Sequence, residues 1–277
     1  MIKGIIKKIL PNQIINWVRK HKDPNYETKL QKQNEISRLQ KIERFIKGST
    51  NILGKEVIYA DSASFLFIYD EMFNKQIYKF ESSTENPYII DAGANIGLSI
   101  IYFKQLYPNA QIVAFEPDDK IFKILKSNIT SFEFNNITLI QKALWDSETT
   151  LSFFSEGADG GRIAVENDKD KIIEIKTIRL KEFLYKKVDL LKIDIEGAEY
   201  TVLKDSFDLL SNVENLFVEF HSFATEKQEL GNILSILTNA GFRYQVQHIG
   251  VFSNHPFLKV NEYNNMDLQL NIFAYKR

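Results

Sequence analysis

The sequence predicts an α/β fold organised around a mostly parallel sheet and preceded by a helical extension. Three observations predict it. From residue 87 onward, short apolar runs alternate with helical patterns across short connectors, the pattern of strand–helix units that build parallel sheets. A glycine-bearing turn, Asp91-Ala-Gly-Ala-Asn-Ile-Gly97, joins the first of these runs to a helix. Acidic residues then stand at the ends of later runs, at Glu116, Asp194 and Glu196.

Taken in order, Ile2, Ile5, Ile6 and Ile9 recur at helical spacing among lysines, and Ile14, Ile15 and Val18 resume the pattern after Pro11. This predicts a basic amphipathic helix. Asp23-Pro24 interrupts it, and a second helix is expected from Tyr26 to Lys47, stopped by Gly48. Residues 54–80 read as aromatic-rich strand and short helix covering the next region, with Ser64-Phe-Leu-Phe-Ile-Tyr69 at its centre. Strands are then expected at Tyr88–Asp91, Gln111–Glu116, Ile137–Gln141, Val188–Ile193, Asn215–His221, Phe242–Gln247 and Leu268–Tyr275. Helices fit Ile96–Leu106, Lys120–Thr130, Glu199–Leu203 and Glu226–Ala240. Ser155–Lys171, rich in glycine and charge, reads as a flexible loop between β-like segments at Thr149–Phe154 and Ile172–Ile178. The chain divides into a basic helical extension (1–50), a cover on the acceptor side (51–86) and a ligand-binding domain (87–277).

Composition narrows the function. The 277 residues carry 35 Lys+Arg and 36 Asp+Glu, a formal charge of −1, which excludes a generally basic nucleic-acid binder. The balance is uneven. Residues 1–50 hold 12 basic and 4 acidic side chains (+8), leaving 23 and 32 (−9) for the rest. The basic region suits contact with an anionic membrane surface, or packing against the main domain or a second copy of the chain. There are no cysteines, which removes disulfides, thiolate metal sites and thiol nucleophiles, and fits a reducing compartment. The four histidines lack close metal-ligand spacing, and no apolar run approaches the ~18 residues of a spanning helix. Met1–Pro11 does not read as a cleavable signal. A cytoplasmic protein, at most peripheral to a membrane, is expected.

The motifs point to a nucleotide-like ligand. A G-x-G-x-x-G dinucleotide fingerprint would place glycines at 95 and 98, where Asn95 and Leu98 stand. The pattern is D-x-G-x-N-x-G, and an acid at the strand end favours a cationic group over a pyrophosphate. This argues against a nicotinamide enzyme. Glu116-Pro117 ends the next strand, where a carboxylate can accept both hydroxyls of a ribose; the plainer alternative is a helix cap. Gln141-Lys-Ala-Leu-Trp-Asp146 and Val188-Asp-Leu-Leu-Lys-Ile-Asp-Ile-Glu-Gly-Ala-Glu199 end later strands, and such segments converge on one crevice.

With these motifs the chain resembles the FkbM family of class I S-adenosylmethionine-dependent methyltransferases. Asp91–Gly97 matches the family's first motif, Glu116-Pro117 its second, and Leu191–Glu199 its distinctive fourth-strand motif, followed by Val218-Glu-Phe-His221. The resemblance runs from about Ile89 to His221. It implies a Rossmann-like, seven-stranded, mostly parallel sheet with an antiparallel last strand and helices on both faces. It also implies S-adenosylmethionine as cofactor, and methyl transfer to a hydroxyl of a sugar, glycolipid or polyketide-like natural product. By the same resemblance Asp91, Gly93, Ala94, Asn95 and Gly97 hold the methionine part, Glu116 and Pro117 lie at the ribose, Ala143 and Leu144 border the adenine, and Asp194 lies close to the cofactor.

A sulfonium methyl is already activated, so the protein must align an acceptor oxygen and remove its proton. Asp194, Glu196 and His221 are the candidate catalytic bases; a helix-capping Asp194 and a purely structural His221 are the plain alternatives. Glu219 shares a strand face with His221, and these residues with Asp194 and Glu196 are ligand types for a divalent ion. Carboxylates beside a sulfonium already have a role, however, and no metal is expected. A non-catalytic member of the fold, serving as a binding module in a glycan pathway, is the alternative to an enzyme.

Overall fold

The computed structural model describes residues 23, 25–154, 162–163 and 172–276. The amphipathic helix expected over the first 18 residues and most of the Ser155–Lys171 loop lie outside them. Helix α1 (Tyr26–Leu39) ends well before Lys47, where the sequence pattern placed its stop. The cause is Asp61, whose Oδ2 accepts from the Phe45 amide at 2.6 Å and from Arg44 Nε at 2.9 Å. This draws residues 44–45 away from a helical path, and Phe45 turns left-handed with φ 63°.

A hairpin of β1 (Gly48–Thr50) and β2 (Val57–Tyr59) leads to α2 (Ser62–Tyr69), which runs on through a π-helical turn at Asp70–Asn74. An all-apolar run such as Phe65–Tyr69 has no periodicity to separate strand from helix. Asp61 decides it as the N-cap, accepting from the Ser64 amide at 2.8 Å.

The main sheet follows: β3 (Tyr88–Ala92), α3 (Leu98–Leu106), β4 (Gln111–Phe115), α4 (Asp119–Phe132) and β5 (Ile137–Ile140). Next come β6 (Ala143–Trp145), β7 (Thr150–Phe154), the two-residue β8 (Arg162–Ile163) and β9 (Ile172–Arg179). These form a separate four-stranded sheet in the order β6-β9-β7-β8. Arg162 and Ile163, expected within a loop, therefore pair with β7, and Ala143 opens a strand of its own. The chain returns through β10 (Val188–Ile193), α5 (Glu199–Asp205), β11 (Val213–Phe223), α6 (Leu230–Asn239), β12 (Arg243–Ile249) and β13 (Met266–Tyr275). Helix α6 starts four residues later than expected because the Glu226 amide bonds back to the Phe223 carbonyl at 2.9 Å and makes a turn.

Seven strands order as β12-β13-β11-β10-β3-β4-β5. All neighbours from β11 to β5 are parallel, and β13 is antiparallel to both β11 and β12. Alternate residues of each strand feed two cores. Ile89, Leu190 and Phe217 pack with α2, α3 and α4 on one face, while Ile90, Leu191 and Val218 pack with α5 and α6 on the other. Each fully buried Ile, Leu or Val contributes roughly 1.5–3 kcal/mol. The chain leaves β3 toward β4 and β5, then crosses back to lay β10 on β3's other side. That reversal opens a crevice beyond the carboxyl ends of β3 and β10. No helix among the described residues is long and apolar enough to cross a membrane.

Candidate active site

Four adjacent strands place polar side chains on one face of the sheet. Asp91 on β3 lies opposite Lys192 on β10; Glu219 and His221 on β11 lie opposite Asn271 and Gln269 on β13. Residues directly opposite share a face, so this stripe runs through the same face that packs Phe217, Tyr78 and α3.

Lys192 is its first node. Buried at 1% exposure, its Nζ donates to the Gly93 carbonyl at 2.6 Å and pairs with Asp91 Oδ1 and Asp194 Oδ2, each at 3.3 Å. Ser99 Oγ also donates to Asp91. Burial alone would depress the Lys192 ammonium, but Asp91, Asp194 and Glu219 outweigh it and raise its pKa. The cation nearest Asp91, expected from the sequence to belong to a ligand, is thus a side chain of the protein.

The turn after β3 is held from within. The Gly93 and Ala94 amides both donate to the Phe115 carbonyl, at 3.2 and 2.8 Å, and are not the free donors that a bare strand-to-helix turn suggests. Gly93 has φ 88°, and a Cβ there would lie 1.8 Å from the Asp194 carbonyl oxygen; only glycine lets β3 and β10 approach so closely. Gly97 faces elsewhere, since its Cβ would meet Leu125 Cδ1 of α4 at 2.7 Å. Glu116, 8% exposed, accepts from the Asn95 amide at 3.1 Å and the Asp118 amide at 2.9 Å. Burial nonetheless pushes its carboxyl up to about 8.

At the end of β10, Asp194 is followed by Glu196 with a left-handed φ of 54° and Gly197 at 100°. A non-glycine residue in that region is strained, and Asn95 across the crevice shares the feature with φ 47°. Glu199 Oε1 lies 3.0 Å from His221 Nδ1 and accepts from the Gly197 amide at 3.0 Å. His221 Nε2 turns toward Glu219 at 3.5 Å and Glu196 at 3.6 Å, with Gln269 Nε2 at 3.2 Å. Burial would lower the imidazole pKa, but Glu196, Glu199 and Glu219 hold it well above its ordinary value. Burial pushes Glu196 up to about 8 with His221 pulling back, and burial with Glu219 raises Asp194.

These groups open on a crevice of about 680 Å³, within the range of small-molecule and cofactor sites. Of the residues the sequence singled out, Gly93, Ala94, Asn95, Asp194 and Glu196 line it. Asp91, Gly97, Glu116, Pro117, Ala143, Leu144 and His221 are not among the residues that line it. Ala143 and Leu144 are in register with Thr177 and Ile178 of the second sheet. Phe67, Tyr78, Tyr263, Gln269, Asn271 and Arg162 also line the crevice, the Arg162 guanidinium 5.3 Å from the rings of both Phe154 and Phe223. Sequence reasoning missed Lys192, Ser99, Gln269 and Asn271. The lysine had a signal, a charge inside the apolar run of β10, and so did the polar alternation Gln269, Asn271 in the last strand.

Comparison with known proteins gives the arrangement a family. Residues 91–244, 154 of the 277, match the Methyltransferase FkbM domain. Methyltransferase sdnD of Sordaria araneosa is 30% identical over 206 residues, spanning 57% of this chain and 80% of that protein. Methyltransferase 1 of Beauveria bassiana is 28% identical over 223 residues, 69% of this chain and 87% of its own. The 2-O-methyltransferase NoeI of Sinorhizobium fredii is 25% identical over 156 residues, 49% of this chain and 63% of its own. A glycine turn and an acid-tipped β10 at the switch point, within a domain match over more than half the chain, lead to one conclusion: the chain belongs to the FkbM methyltransferase family and is an enzyme whose methyl donor is S-adenosylmethionine.

Proposed function

We propose that this enzyme methylates a hydroxyl oxygen of a carbohydrate, glycolipid or related natural-product acceptor. The observation that carries the reading is Glu196, a carboxylate aimed into the crevice from a strained backbone, beside Asp194 and facing the Gly93–Asn95 turn. The printed name of the Sinorhizobium fredii relative, a 2-O-methyltransferase, supports oxygen as the acceptor atom.

S-adenosylmethionine supplies a methyl group activated by positively charged sulfur. The chain's residues must hold the donor, align the acceptor oxygen and take its proton. The Gly93–Asn95 turn and Asp194 form the floor for the methionine part, and the acids behind them suit a cation. Glu116 uses one lone pair of each oxygen on a backbone amide, leaving others for the ribose hydroxyls. Glu196, its side chain 19% exposed, takes the acceptor's proton, and His221, with a fully buried side chain, positions it from 3.6 Å. Of the aromatic run in α2, Phe65 and Tyr69 are core, and Phe67, 57% exposed and on the crevice wall, is the ring that can stack on a sugar face.

The basic amino-terminal region would bring a cytoplasmic enzyme to an anionic membrane surface where lipid-linked acceptors are met. The test of the reaction is incubation with S-adenosylmethionine carrying a labelled methyl group and extracts of glycan intermediates, with products identified by mass spectrometry. Label in an O-methyl ether is expected, and its loss with Glu196→Gln at unchanged cofactor affinity identifies the base. Label only on nitrogen or carbon would overturn the reading.

A further inference from the structure

At the carboxyl ends of β10 and β11, Glu219, which the reading above does not use, gathers with Asp194 and His221. One ligand atom each from Asp194, Glu219 and His221 lies within 4.8 Å of the other two. An ion bonding oxygen and nitrogen at roughly 2.1–2.4 Å can bridge atoms at such separations. Charge favours a cation there, since the acids Asp91, Asp194, Glu196, Glu199 and Glu219 outnumber the basic side chains they pair with, Lys192 and His221, among the described residues.

Two further observations separate this cluster from a chance gathering of acids. The first is the imidazole's orientation. Glu199, 1% exposed, holds Nδ1 at 3.0 Å and turns Nε2 toward Glu219 and Glu196. A buried carboxylate behind one ring nitrogen is how metal-binding histidines are fixed with the other nitrogen forward. The second is Asn271. It is 2% exposed, lies directly across from Glu219 on β13, lines the crevice, and its Oδ1 has no hydrogen-bond partner among the described residues. A buried carbonyl oxygen without a partner is costly, and an oxygen-seeking cation would satisfy it. Gln269 Nε2 marks the spot from the other side, donating to Glu219 Oε1 at 2.7 Å while 3.2 Å from His221 Nε2.

We propose that Asp194, Glu219 and His221, with Asn271 as a further oxygen donor, form a binding site for a divalent metal ion at the inner end of the crevice. Two carboxylates, one amide oxygen and one imidazole make a mixed, mostly oxygen set, which suits Mn²⁺ or Mg²⁺ and is poor for soft ions. The ion's remaining positions face the crevice. There, resting on the proposed function, they would take the acceptor hydroxyl and make it a stronger acid, its proton passing to Glu196 as the oxygen bonds the methyl carbon and the S–CH₃ bond breaks, its electron pair staying on the sulfur of the departing neutral thioether.

The test uses the full chain, stripped of metal with a chelator and titrated with Mn²⁺, free ion being read by electron paramagnetic resonance. One site per chain with a Kd at or below roughly 10⁻⁴ M is expected. Glu219→Gln and His221→Asn, each checked for folding by circular dichroism, should weaken it at least about tenfold, and Asn271→Leu by a smaller factor. Absence of stoichiometric Mn²⁺ binding to the wild-type chain overturns the proposal whatever the variants do, as does binding that survives both folded variants unchanged. Calorimetry with S-adenosylmethionine on the same protein separates the two readings. Cofactor binding without metal binding removes the ion and leaves the methyl-transfer reading standing.

Discussion

The backbone amide of Asn95 donates to the Glu116 carboxylate at 3.1 Å, so the acid ending β4 and the turn after β3 move as one unit. Its titration therefore bears on that turn. Burial pushes the Glu116 carboxyl up to about 8 from an ordinary 4.5. Between those values the folded chain holds a proton that the unfolded chain has lost. Stability is then favoured at the acid end of the window and falls as pH rises toward 8, by at most about 1.4 kcal/mol per unit. Urea unfolding of the cofactor-free protein from pH 6 to 8.5 should show this slope, and Glu116→Gln should flatten it. The same variant should bind S-adenosylmethionine at least about tenfold more weakly.

The two glycines of the turn should separate in their effects. At Gly93 a methyl group would collide with the Asp194 backbone at 1.8 Å, whereas at Gly97 it would meet the movable end of Leu125 at 2.7 Å. Gly93→Ala is expected to abolish cofactor binding. Gly97→Ala should lose roughly 1–3 kcal/mol of stability, from its φ of 90° and the packing against α4, while keeping affinity within a few-fold. Thermal unfolding and calorimetry on both variants check this.

Removing Lys192 should be costly. Lys192→Met leaves the buried Asp91 and the half-buried Asp194 without their cation, and breaking a buried pair such as Lys192–Asp91 costs roughly 3–5 kcal/mol. Adding Asp91→Asn should recover part of the loss. A double-mutant cycle by urea unfolding measures the coupling, and simple additivity would show that the pair is not a unit.

Asp61 ties two segments together, capping α2 at Ser64 and holding Arg44 and Phe45. Asp61→Ala should cost roughly 2–3 kcal/mol, a cap together with charge-assisted bonds. Because α2 carries Phe67 on the crevice wall, the acceptor KM should rise more than kcat falls. Steady-state kinetics at saturating cofactor decides this.

Much of the fold could be read from period and punctuation. The parallel strands β3, β4 and β10 were legible because continuous apolar runs ended at acids, with Asp91, Glu116 and Asp194 marking their carboxyl ends, whereas β6 and β8 carried no such signal. The helix ends were less so. Leu39 ends α1 because Asp61, distant in sequence, captures Phe45, and no local signal records that bond. The site was half legible for the same reason. Residues next to glycine motifs stood out, but Asn271 and Gln269 acquire their meaning only from the register of β13 against β11. The roles of Gly93 and Gly97 likewise depend on what lies opposite each, a fact of packing.

Strand β13 is made last, yet it lies inside the sheet between β11 and β12. A chain emerging from the ribosome must keep the edge of β11 open until residues 266–275 arrive, and an open edge invites pairing with other chains. Until then the growing protein can pair β3, β4 and β10 but has no Gln269 or Asn271 with which to complete the lining of the crevice. Order of synthesis thus sets order of completion: the part of the crevice that β13 supplies is the last to exist.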